Sequence, residues 1–252
     1  MADVADHYQR LLADCYSWML GDFDARAERE RAFLEQCGLR APAAGAGAAD
    51  VALDLGAGSG HQTVALVRLG WRVRAFDSSA KLLDELRRRV AGLDVVSDVV
   101  AIQDDLSHFP RYLDGPVGAI VCMGDTLTHL PSAEAVRGLL AGARASLAPG
   151  GALVLTYRDL SRALEETDRF IPVRADDERI LTCFLEYLPE VVRVHDLLHH
   201  RTSEGWRLEK SWYPKLRLAA TDVERWLVEA GFSLAHVAST RGLVELVARS
   251  PG

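Results

Sequence analysis

"VALDLGAGSG", residues 51–60, decides the fold. A five-residue apolar run carrying one acid stops at three alternate glycines, and "HQTVALVRLG" (61–70) follows with helical spacing and a glycine stop. Strand, glycine turn and helix in that order is the first unit of a doubly wound sheet. Ligands of such sheets bind beyond the carboxyl ends of the strands. Gly56, Gly58 and Gly60 leave no Cβ there, so a ligand can lie against bare backbone.

The alternation continues downstream. "RVRAF" (72–76) reads as a strand, and "SAKLLDELRRRVAG" (79–92) as a helix with Leu82, Leu83, Leu86 and Val90 on one face. Asp84 and Arg88 add an i,i+4 pair to it. "SDVVAI" (97–102), "GAIVCM" (118–123) and "ALVLTY" (152–157) read as strands, with a helix at 133–147 between the last two. Such alternation implies parallel strands joined by crossover helices, an α/β Rossmann-like sheet.

Flanking segments break the pattern. Residues 3–38 read as helical, and the small-residue stretch 41–49 as a linker. Beyond residue 160, "ERILTCFLEYL", "EVVRVHDLLHHR" and "WRLEKSWYPKLRL" read as longer strands, the last two joined by a hairpin turn at "TSEG" (202–205). "TDVERWLVEAGF" (221–232) then returns to helix, with Thr221 as N-cap and Gly231 as stop, and "ELVAR" (245–249) closes as a strand. The expected organisation is a helical lid and linker over 1–49, a ligand-binding core over 50–160, an antiparallel β insertion over 161–218 and the end of the core over 219–252.

Composition bounds the partners. The chain has 252 residues and a net charge of −7, which disfavours nucleic acid or an anionic membrane as a partner. The run Arg87–Arg88–Arg89 spreads over different helix faces and reads as solvated. None of the four cysteines forms a C-x-x-C pair, so reduced thiols in the cytoplasm are expected. The amino terminus has no apolar signal core, and no apolar run approaches the roughly 18 residues of a membrane span. His195, His199 and His200 give no compact ligand set, so no metal is expected. An extended hairpin leaves room for a homo-oligomer interface.

Asp77 ends the second strand, 23 residues after Asp54, where an acid suits ribose hydroxyls. A dinucleotide fingerprint would place its third glycine at His61, and no G-x-x-x-x-G-K-[ST] is present. These features point to a nucleoside-bearing ligand without a phosphate loop.

"LDLGAGSG", "AFDSS", "QDDL" (103–106) and "LAPGGALVLTY" (147–157) together resemble the motifs of class I S-adenosylmethionine-dependent methyltransferases, in order over about 51–160. "HYQRLLADCYSWMLGDFDARAERERAFL", "MGDTLTHLP" (123–131), "TYRDLS" (156–161) and "SWYP" (211–214) resemble segments of the glycine and glycine/sarcosine N-methyltransferases. The resemblance implies S-adenosyl-L-methionine as cofactor and a small molecule as acceptor, an amine or amino-acid-like compound. O-methylation of a metabolite, a macromolecular acceptor and a non-catalytic cofactor-binding protein are the alternatives.

It also implies site residues. Tyr16, Asp54, Gly56, Ala57, Gly58, Gly60, Asp77, Ser78, Asp105, Leu106 and Met123 fall at cofactor positions, with Asp105 at the adenine. Tyr8 shares the segment of Tyr16, and Arg26 matches an arginine that grips the methionyl carboxylate. Asp125, His129, Arg158 and Tyr213 match the acceptor side, with Asp125 and His129 as candidate catalytic groups and Arg158 for an acceptor carboxylate. Asp125 departs from the asparagine of the relatives. An ionised acid beside an acceptor amine would raise the amine's pKa and keep it protonated, without the lone pair that transfer needs, so Asp125 loses influence at transfer, takes the proton or contacts the cofactor instead.

Overall fold

The computed structural model describes residues 7, 11–42, 47–93 and 99–252, with the side chains of 47 and 48 set aside. Tyr8, the first residues of the expected amino-terminal helix, residues 43–46 of the expected linker and residues 97–98 of the expected third strand lie outside the described residues.

Strands β1 (Val51–Leu55), β2 (Arg72–Asp77), β3 (Val99–Gln103), β4 (Val117–Cys122) and β5 (Leu147–Arg158) pair in parallel in the order β5-β4-β1-β2-β3. Their carboxyl ends therefore share one edge. Beyond β5 the sheet adds the antiparallel β11 (Leu243–Arg249) and then β10 (Ser233–Thr240), making seven strands. Helices α3 (His61–Arg68), α4 (Ala80–Ala91), α5 (Ala133–Ser146) and α6 (Ala220–Glu229) complete this layer structure.

Every residue of β1 is buried, as expected of a strand covered on both faces. Leu53 and Leu55 pack with Ile120, Leu155, Leu140 and Leu227, whereas Ala52 packs on the opposite side with Ala65, Leu66 and Leu86. Burying a side chain of this size contributes about 1.5–3 kcal/mol. Asp54 lies within this apolar strand because Thr63 of α3 donates its hydroxyl at 2.6 Å. Burial pushes the Asp54 carboxyl up to about 7.

A second sheet has the order β6-β7-β8-β9, all antiparallel: β6 (Phe170–Ala175), β7 (Arg179–Tyr187), β8 (Val191–Thr202) and β9 (Gly205–Leu216). Its inner face buries Leu181, Leu185, Val192, Val194 and Leu198 against Leu11, Leu12 and Cys15. Asp196 is buried in that face, held by His7 Nε2 at 2.9 Å and by the Cys183 thiol at 2.7 Å. The four cysteines are free thiols.

The amino-terminal segment is helical as expected; among its described residues α1 (Ala13–Leu20) and α2 (Phe23–Gln36) meet at the "GDFD" stretch, where Gly21 takes φ 86° and Asp22 caps α2 by accepting Ala25 N–H at 2.7 Å. Several local expectations are corrected. Strands β6 and β10 were not anticipated. β6 is an edge strand with every residue exposed and carries Pro172, and β10 is an edge with little burial, so neither shows an apolar alternation. Thr221 does not cap α6, which starts at Ala220; Asp159 of another segment accepts the Ala220 N–H at 3.1 Å. Gly231, at φ 88°, does end that helix. Asp84 pairs with Arg87 rather than Arg88, at 2.7 Å. Arg89 is not a solvated charge: it donates to Ser59 O and Ser17 Oγ, and its guanidinium lies 4.0 Å from the Phe23 ring centre.

Candidate active site

A cleft of about 510 Å³ opens along the carboxyl edge of the parallel strands. One half is built by the turns after β1, β2 and β3. Gly56 and Gly58 have φ of 81° and 53°, which turns the chain sharply from β1 toward α3. Gly58 N–H donates to Asp77 Oδ2 at 2.8 Å, and Ser79 N–H to Asp77 Oδ1 at 2.8 Å, so the ends of β1 and β2 are tied together. Burial raises the Asp77 carboxyl while these N–H groups pull it back. Asp105 accepts from Ser107 N and Oγ through Oδ1, and Asp104 accepts from His108 and Tyr112. Asp105 Oδ2 has no hydrogen-bond partner among the described residues, which leaves an acceptor at the cleft wall.

The other half comes from the turn after β4 and from the second sheet. Gly124, Thr126, His129, Leu130 and Pro131 face Val191, Pro214 and Leu216. Asp125 adopts φ 77°, a left-handed conformation that Asp and Asn tolerate better than most residues. Its Oδ1 accepts Arg158 N–H at 2.7 Å, and its Oδ2 meets Lys215 Nζ at 2.8 Å. Burial pushes the Asp125 carboxyl up, but Lys215 and the Arg158 N–H outweigh it and leave the acid below its usual range. His129 stacks on Tyr213 with ring centres 5.4 Å apart. Burial, with Lys215 nearby, pushes the imidazole down to about 3, so the ring is neutral at physiological pH.

Tyr16, Gly56, Gly58, Asp77, Ser78, Asp105, Leu106 and His129 line the cleft. The remaining sequence-expected residues do not reach its wall. Asp54 is occupied by Thr63, and Ala57 is buried with its N–H on Phe76 O. Gly60 precedes α3, and Met123 is buried with its carbonyl accepting from Thr126. Tyr213 packs between His7 and His129. Arg26 lies on α2 with Nε 3.7 Å from Glu30; that Nε is buried and without a hydrogen bond among the described residues. Arg158 points outward, its side chain 62% exposed, with Nε 3.8 Å from Asp125. His195 and His200 pair with Glu186 and Glu209. No group of three metal-ligating side chains occurs among the described residues.

Lys215 and Thr126 were missed by sequence reading. A single lysine on a strand reads as exposed, but Tyr213 faces inward, and the period of two carries Lys215 to the same side.

Residues 52–151 match a family profile described as a methyltransferase domain. The chain is 30% identical over 167 residues to the glycine/sarcosine N-methyltransferase of Parasynechococcus marenigrum, an alignment covering 64% of this chain and 55% of that protein. The chain thus spans about half the length of the curated relatives it matches. The CcbJ methyltransferase of Streptomyces caelestis has the same fold, with a TM-score of 0.73 at 20% identity over 99% of this chain and 97% of that one. The glycopeptide N-methyltransferase MtfA, solved with sinefungin, gives 0.60 at 25% identity over 90% and 87%. Among the described residues no helix is long and apolar enough to cross a membrane. Over residues 52–151 the chain is thus similar to methyltransferase domains, on a fold that it shares with solved methyltransferases.

Proposed function

We propose that this chain is an S-adenosylmethionine-dependent methyltransferase that acts on the nitrogen of a small-molecule amine. The observation that carries the reading is the two-part cleft. A glycine turn and acidic acceptors form one half, and a separate acceptor wall from the second sheet forms the other. Similarity to a glycine/sarcosine N-methyltransferase and to a glycopeptide N-methyltransferase supports nitrogen over oxygen.

The residues fit the cofactor. Adding a Cβ at Gly58 would bring it to 3.3 Å from the Tyr16 ring, so the cradle between them depends on the bare glycine. Asp77 and the open Oδ2 of Asp105 accept hydroxyl and amino donors. Arg26 is the cation that the resemblance gives to the carboxylate end; its Nε makes no hydrogen bond among the described residues, and its side chain, beside Glu30 and off the cleft wall, would have to turn inward to reach it. When bound, S-adenosylmethionine supplies a methyl group made electrophilic by its sulfonium. The protein contributes alignment and exclusion of water. The second sheet and α1 act as the cover. Lys81 pairs with Asp14, Ser17 with Glu85 and Trp18 with Asp176, so α1 is pinned to α4 on one side and to the β6–β7 turn on the other. His129, held neutral, accepts a hydrogen bond from an acceptor N–H or O–H.

Calorimetry with S-adenosylmethionine, S-adenosylhomocysteine and NAD tests the cofactor; tight NAD binding without either of the others sinks the reading. Release of S-adenosylhomocysteine over a panel of amines and phenols tests the nucleophile, and turnover of phenols alone would replace nitrogen by oxygen.

A further inference from the structure

The acceptor half of the cleft differs chemically from the nucleoside half. Its wall is Leu130, Pro131, Val191, Pro214 and Leu216, all without a side-chain donor or acceptor. The charged groups nearest to it are already committed. Asp125 is paired with buried Lys215 at 2.8 Å and accepts the Arg158 N–H, so its carboxylate is not offered to an ammonium. Lys215, 9% exposed, is neutralised by the same contact. Arg158 lies outside the wall with its side chain 62% exposed, so it is not placed to hold a carboxylate inside. His129 is the polar side chain that faces this half together with Thr126, and the imidazole is uncharged at neutral pH.

Any free amino acid brings two charges to such a wall, and glycine or sarcosine brings almost no apolar body with them. Desolvating either charge without a partner costs several kcal/mol. An amine on an apolar body buries its carbon surface against the leucines, valine and prolines and places one polar atom near His129. With no unpaired anion among the described residues of this half, the neutral amine, which has the lone pair, is favoured over the ammonium.

Resting on the methyltransferase reading above, we propose that the acceptor is an amine carried on an apolar body rather than a free amino acid, and that the Lys215–Asp125 ion pair is the specificity-determining feature that closes the amino-acid mode of binding.

The test is binding to the protein loaded with S-adenosylhomocysteine, read by calorimetry with benzylamine, glycine and sarcosine as probes. Binding of S-adenosylhomocysteine is measured first; its absence sinks the methyltransferase reading itself. With it bound, benzylamine is expected to bind saturably and glycine and sarcosine to give no saturable heat. Val191→Asp is expected to weaken benzylamine at least tenfold, and Arg158→Ala to change it less than twofold. Leu216→Ala, a milder change to the same wall, is expected to weaken it severalfold. Unchanged S-adenosylhomocysteine affinity certifies that each variant is folded. Glycine or sarcosine binding that is lost in Arg158→Ala overturns the proposal. So does an absence of benzylamine binding, or benzylamine binding indifferent to both wall variants, while S-adenosylhomocysteine binds normally.

Discussion

Lys215 Nζ and Asp125 Oδ2 lie 2.8 Å apart, joining the end of the second sheet to the turn after β4 across 90 residues of chain. Both side chains are mostly buried, at 11% and 18% exposure. The contact ties the turn that carries Gly124 and Thr126 to the strand that carries Pro214 and Leu216, the residues that face each other across the cleft. Removing one partner of such a pair is more damaging than removing both, because it strands a charge.

Lys215→Met is therefore expected to destabilise the protein by about 3 kcal/mol. Asp125→Asn is expected to cost a similar amount by stranding the buried Lys215 ammonium, although the amide oxygen still accepts the Arg158 N–H and asparagine tolerates φ 77°. In Lys215→Met/Asp125→Asn most of the loss should return. Urea denaturation of the four proteins gives the coupling directly, and additive single effects would show that the pair is not formed in solution.

Acid sensitivity should come in part from two histidines. Burial pushes both His61 and His129 down to about 3, against an ordinary value near 6.5. Between those limits the unfolded chain takes up protons that the folded chain does not, so stability falls as pH drops from about 6.5 toward 3. Asp54 works the other way. Its folded carboxyl, raised to about 7, holds a proton that the unfolded chain gives up near 3.9, so its contribution is lost as pH rises through that range. His61→Gln should flatten the acid limb, and Asp54→Asn should move the optimum to higher pH. Denaturation midpoints from pH 4 to 8 measure both.

Gly56 and Gly58 should respond differently to substitution. A Cβ at Gly56 would come within 2.3 Å of Thr126, whereas one at Gly58 would meet the Tyr16 ring at 3.3 Å. Gly58→Ala should cost about 1–2 kcal/mol for its left-handed backbone and weaken S-adenosylmethionine at least tenfold by filling the cradle. Gly56→Ala should lose more stability because β1 and the Thr126 turn must separate. Thermal melts beside calorimetry separate the two, and equal losses of stability would refute the distinction.

Asp159→Ala should destabilise α6 by about 1 kcal/mol, the usual loss for a missing N-terminal hydrogen-bond acceptor. Thr221→Ala should be nearly neutral, because Thr221 sits inside the helix and makes no cap. A melting temperature lowered by Thr221→Ala and not by Asp159→Ala would reverse the assignment of the cap.

The seven-stranded sheet was largely legible because its signals are local. Each buried parallel strand is a short apolar run, each crossover helix has its own apolar stripe, and the Gly56–Gly60 turn stands between the first pair. The same locality put Gly58 and Asp77 at strand ends, since a strand end and the residues after it are fixed once the strand is known, whereas Asp105 was singled out by the resemblance of "QDDL". Edge strands β6 and β10 were not legible, because an exposed edge needs no apolar pattern; its hydrogen bonds come from a neighbour that composition does not reveal.

The chain alone determined the parallel sheet, the edge that the strands' carboxyl ends share and the acidic groups along it. Tertiary structure decided what the acceptor half offers. Whether Asp125 presents a charge depends on Lys215, 90 residues away, and Arg158, at the end of β5, stands 62% exposed beside that same pair. Local sequence sets backbone conformation and burial propensity within a few residues. Charge pairing across elements depends on distances that exist only after both sheets have packed.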